Sequence, residues 1–75
     1  MLPDDVSERM IQIGNKINSL RQDLDSNYKN FAEKHGINNM TLWRIQNAED
    51  YKMSNFLIVL REIGITPEKF FQGIK

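Results

Sequence analysis

The chain predicts an all-α domain of five helices, and three observations carry that expectation. Apolar residues recur at steps of three and four, caps and breakers stand at the ends of those patterns, and period-two alternation is weak. Seventy-five residues make one domain, 1–75, with residues 1–5 expected as a flexible N-terminal tail. A chain of this size buries only about 60–65% of its unfolded surface, so its core must be efficient.

Met10, Ile13, Ile17, Leu20 and Leu24 mark the buried face of a first helix that starts near Asp4 to Ser7, any of which could cap it, and ends near Asp25. Asn27 is the N-cap expected for a second helix, 28–35, with Phe31 and Ala32 turned inward. Asn38 caps a third, running to about Asn47, and Ala48 to Lys52 form a short polar connection. Met53, Phe56, Leu57, Leu60 and Ile63 define a fourth helix, stopped at Gly64. Thr66-Pro67-Glu68 then supplies a capping hydroxyl, a proline at the first helical position and an acid in the first turn. Phe70, Phe71 and Ile74 make this last helix apolar; closing the core is their first role, and pairing with a second copy is the other.

Composition narrows the function classes. With no cysteine there is no disulfide and no thiolate metal site, which suits a reducing cytoplasm. The longest apolar run, Phe56 to Leu60, is five residues, far too short to span a membrane, and the start Met-Leu-Pro-Asp-Asp is acidic, unlike a signal peptide. The protein is therefore expected in the cytoplasm. His35 is the only histidine, and a half-buried or capping role suits it better than catalysis. The carboxylates do not converge and no phosphate-binding glycine loop is present, so neither an enzyme, a cofactor nor a metal is expected. Ten basic and ten acidic residues cancel, but residues 16–47 hold five basic residues against three acidic ones.

The segment Phe31 to Ile45 is the most informative. Ala32 permits close helix approach, Gly36 can turn left-handed, and Ile37, Leu42 and Ile45 form an apolar stripe. Two short helices joined by a tight turn outline a helix-turn-helix, whose second helix enters the major groove of DNA. With Leu42 and Ile45 inward, Asn39, Met40, Trp43 and Arg44 face outward.

On these residues the chain resembles the lambda-repressor-like DNA-binding domains, the Xre family of transcriptional regulators, over residues 13–71. Ile13-Gly14-Asn15-Lys16-Ile17 with Leu20-Arg21 is similar to the family's first helix, and Phe31-Ala32-Glu33-Lys34-His35-Gly36-Ile37 to its second helix and turn. Arg44-Ile45-Gln46-Asn47 resembles the end of the recognition helix, and Ile63 to Phe71 the family's closing Leu-Gly-Val-Ser-Xaa-Asp-Glu-Phe-Phe. Three positions depart from the pattern. Tyr28 stands for a phosphate-contacting glutamine, Gln46 for a glutamate with structural contacts, and Ala48 for a glycine, which disfavours a left-handed turn there.

The resemblance implies a sequence-specific regulator of double-stranded DNA, a repressor occupying an operator. Its base contacts would be Asn39, Met40 and Arg44 with Trp43 beside them, and its backbone contacts Asn27, Tyr28, Asn38, Thr41 and Asn47. Asn27 and Asn38 serve equally as caps. Trp43 has three readings: packing on sugar-phosphate, stacking in a partner interface, or folding over the fourth helix as core. A homodimer through the C-terminal helices is implied as well. The alternative is a helical protein–protein interaction module, or an antitoxin-like subunit, built on the same fold.

Overall fold

A computed structural model describes residues 3–72. Five helices account for most of these residues: α1 (Asp4–Leu24), α2 (Tyr28–Lys34), α3 (Asn39–Gln46), α4 (Met53–Ile63) and α5 (Pro67–Phe71). No strand occurs among the described residues. At about 1.5 Å per residue α1 is roughly 30 Å long, nearly the longest dimension of the 34 × 25 × 21 Å molecule. It forms a spine against which α2, α3 and α4 pack, and α3 touches α1, α2 and α4 in turn.

Local chemistry fixes the helix ends. Asn27 Oδ1 accepts from the backbone N–H groups of Lys29 and Asn30 at 3.0 and 3.2 Å. Asn38 Oδ1 accepts from Met40 N at 2.8 Å, and Thr66 Oγ1 from Lys69 N at 3.3 Å. Each satisfies donors that a helix start leaves without a partner. α1 differs from expectation: its cap is Pro3, without a side-chain bond, and Asp4 and Asp5 lie in the first turn instead of a tail. There their charge complements the positive end of the helix. His35 and Asn47, expected inside their helices, are the capping residues that follow them.

Three helices stop in the same way. Ile37 N donates to Ala32 O, Glu49 N to Arg44 O, and Ile65 N to Leu60 O, at 2.7, 2.9 and 3.1 Å. Each bond requires a left-handed residue just before the donor. Gly36 (φ 67°) and Gly64 (φ 90°) supply two of them, and Ala48 (φ 58°) the third. The sequence disfavours that turn at Ala48, yet it forms, closed by the bonds from Ala48 N to Ile45 O and from Glu49 N to Arg44 O. A Cβ in this conformation costs about 1–2 kcal/mol.

The core consists of Ile17, Phe31, Ala32, Ile37, Leu42, Ile45, Phe56, Val59, Leu60 and Phe70. Phe56 and Phe70 meet edge to face at 5.4 Å, which fastens α5 to α4. Lys16 Nζ bonds the Phe70 carbonyl and lies 5.1 Å above its ring, so α1 also holds α5. Two apolar stripes are rotated from their expected positions. Leu24 is 57% exposed, and the last buried position of α1 is Arg21, at 3%. On α4, Met53 and Leu57 are exposed and Val59 is buried in their place. Phe71 is exposed, and Ile74 lies outside the described residues.

Candidate functional site

α3 is anchored from behind. Leu42 and Ile45 are fully buried, and Gly14 of α1 lies against the end of the helix. A Cβ at residue 14 would stand 2.7 Å from the Ile45 carbonyl oxygen and 2.8 Å from that of Gln46. Only a residue without a side chain allows α1 this close. Arg21 completes the clamp, its Nε donating to Gln46 Oε1 at 3.0 Å, Nη1 to Asp25 O at 2.8 Å and Nη2 to Asn18 Oδ1 at 2.6 Å. Burial lowers the Arg21 pKa from its ordinary value, and Asp25 pushes it back up. Gln46 thus serves as a neutral acceptor for the buried guanidinium.

The opposite face of α3 is open. Asn39, Met40, Trp43 and Arg44 are all exposed, Met40 by 55% and Trp43 by 40%. The reading of Trp43 as core over α4 is therefore set aside. Its ring instead joins Tyr28, Asn39 and Met40 around a predominantly apolar hollow between α2 and α3. Among the described residues, the Arg44 guanidinium has no ion-pair partner.

The remaining expected contacts divide in two. The amide oxygens of Asn27 and Asn38 are engaged as caps, which leaves their NH2 groups to donate outward. Asn47 is exposed, but its Nδ2 donates to the Trp43 carbonyl at 2.8 Å, so it secures the end of α3. Tyr28 is half-buried against the core with part of its ring in the hollow. Thr41 is half-buried and faces a second hollow, shared with Arg44, Asp50, Tyr51, Lys52, Ser54 and Asn55.

That second hollow contains residues the sequence reading missed. Lys52, Ser54 and Asn55 stand at the start of α4 beside Arg44, and their polar side chains around Met53 are their only signal in the sequence. Burial, and then Asp50, raise the Tyr51 pKa above its ordinary value, so the phenol keeps its proton and can donate. The hollow offers two cations, hydroxyls and an amide against the single carboxylate of Asp50. Such a surface can bind an anion by charge and hydrogen bonds together.

His35 lies away from this face. Its ring stacks on Phe31 at 4.3 Å, and its Nδ1 pairs with Glu62 Oε1 at 3.1 Å, joining the end of α2 to α4. The hydrogen bond from His35, followed by that from Arg61, lowers the Glu62 pKa from its ordinary value. Among the described residues, no three of His, Asp and Glu gather as metal ligands, and no helix is long and apolar enough to cross a membrane.

Comparison of the chain with protein-family models, with curated proteins and with solved structures finds no match.

Proposed function

We propose that the protein is a sequence-specific, double-stranded DNA-binding transcriptional regulator of the lambda-repressor-like type, and that it represses by occupying an operator. In this reading α2, the turn and α3 form the helix-turn-helix, and α3 lies in the major groove. One observation carries it: the side of α3 bearing Asn39, Met40 and Arg44 stands clear of the molecule and carries no carboxylate of its own, Asp50 lining the hollow beside Arg44, while Leu42 and Ile45 lock the other side. Arg44 reads guanine with two parallel hydrogen bonds, and Asn39 reads adenine. The NH2 groups of Asn27 and Asn38, the Tyr28 hydroxyl, and Thr41 with its neighbours in the second hollow bind the phosphates and set the register.

Overall neutrality is compatible with this reading because charge is unevenly distributed. From Ser26 to Gln46 there are three cations, Lys29, Lys34 and Arg44, and one carboxylate, Glu33. Few phosphate contacts per subunit imply modest non-specific affinity, so two subunits on a two-fold site are part of the proposal. Met53 and Leu57, one turn apart on α4, and Phe71 on α5 leave apolar area uncovered, which favours pairing through the C-terminal helices.

Selection from a random duplex library at low salt tests the proposal. Enrichment of a palindromic motif, with affinity falling steeply as salt is added, supports it. Failure to enrich any motif overturns it. The exposed Met40 and Trp43 favour a second reading, a protein–protein interaction module or antitoxin-like subunit. Its signature is a stable protein complex formed through α3 by a chain that selects no duplex.

A further inference from the structure

We propose that the hollow lined by Tyr28, Asn39, Met40 and Trp43 receives the C5-methyl group of a pyrimidine, thymine or 5-methylcytosine, in the bound duplex. The inference rests on the DNA-binding reading above and adds to it a source of base preference.

The hollow is unusual for its position. Two of the four outward residues of α3, Asn39 and Arg44, are polar, while Met40 and Trp43 expose 55% and 40% of their surface beside the half-buried Tyr28. Apolar area gathered in one concavity gains free energy only when an apolar group covers it. In the major groove the pyrimidine C5-methyl is the one apolar substituent on a base edge. The volume, about 330 Å³, exceeds that of a methyl group and also admits the C5–C6 edge that carries it.

Charge and spacing favour a nucleic acid over an apolar peptide side chain. No carboxylate lines the hollow, and the surrounding segment from Ser26 to Gln46 is cationic. Arg44 lies four residues after Met40, hence on the same side of α3, and it adjoins Trp43. An apolar cup and a guanine-reading guanidinium thus stand side by side, as successive base pairs in a groove require.

The test uses the duplex enriched by selection, with each thymine replaced in turn by uracil, which removes the methyl and keeps every hydrogen-bonding group. At one position per half-site, affinity should fall about four-fold, the worth of one buried methyl. Met40→Ala and Trp43→Ala change exposed side chains and should keep the helical circular dichroism of the parent. They should bind the thymine and uracil duplexes equally. Cytosine and 5-methylcytosine, each paired with guanine at the same position, separate the two sources. A methyl effect with thymine bound best assigns thymine, and 5-methylcytosine bound best assigns the modified base.

If uracil costs nothing at any position and 5-methylcytosine binds no tighter than cytosine at any position, the methyl assignment is overturned while DNA binding stands. If no duplex is enriched, both fall. A thymine preference that survives in both variants places the methyl elsewhere and also overturns the inference.

Discussion

Arg21 Nε donates to Gln46 Oε1 across 3.0 Å, joining the last turn of α1 to the last residue of α3. The guanidinium is buried at 3% exposure and spends its other donors on Asn18 and Asp25. Gln46→Ala removes the Nε acceptor and leaves a buried charged donor without a partner. Thermal unfolding should show a loss of about 1–3 kcal/mol. An unchanged melting temperature would mean that water replaces the amide at no cost.

Gly14 makes a comparable prediction by packing alone. In an open helix Gly→Ala stabilises by about 1 kcal/mol. Here the new methyl meets two backbone carbonyl oxygens at 2.7 and 2.8 Å, and backbone cannot swing aside. Gly14→Ala should therefore destabilise by about 1–3 kcal/mol, read from denaturant unfolding. A stabilised variant would show that α1 and α3 stand further apart.

Ala48 predicts the opposite sign. Its φ of 58° places a Cβ in the left-handed region. Ala48→Gly relieves that contact, at some cost from the freer unfolded chain, and should stabilise by up to about 1 kcal/mol. Differential scanning calorimetry of the two proteins checks it. A lower melting temperature would show that α3 does not end in this turn.

Acid should weaken the α2–α4 junction. Hydrogen bonds from His35 and then Arg61 hold the Glu62 carboxyl below its ordinary value of 4.5. A carboxyl depressed on folding adds stability at pH above its unfolded value and loses it as pH falls through the folded one. The stability difference between the parent and Glu62→Gln should be full above about pH 5 and shrink as the solution is acidified further. Melting temperatures of both proteins across that range measure it. A difference independent of pH would remove the ionised carboxylate from the account.

Apart from the Pro3 cap of α1 and the left-handed Ala48 after α3, helix ends were legible in the sequence because their causes are local. Asn27, Asn38 and Thr66 cap within three residues of themselves, and Gly36 and Gly64 stop helices by their own backbone freedom. Faces were less legible, because burial depends on what lies opposite. Leu24 satisfies the apolar spacing of α1, but among the described residues no other element covers it and it meets solvent at 57% exposure. Arg21 is buried because its guanidinium, held locally by Asn18 and the Asp25 carbonyl, meets Gln46 of α3, a partner that only the folded chain brings near. In the candidate site, the outward row of α3 follows from Leu42 and Ile45 pointing in. The exposure of Trp43 does not, since a tryptophan there could as readily have turned back over α4.

The central claim is that Arg44 reads a base from the open side of α3. Its most direct test is the affinity of Arg44→Ala for the selected duplex and for that duplex with each base pair changed singly. Loss of about 1–3 kcal/mol, with discrimination relaxed at one guanine-containing pair per half-site, is the expected result. Unchanged affinity and an unchanged preference at every position would contradict it.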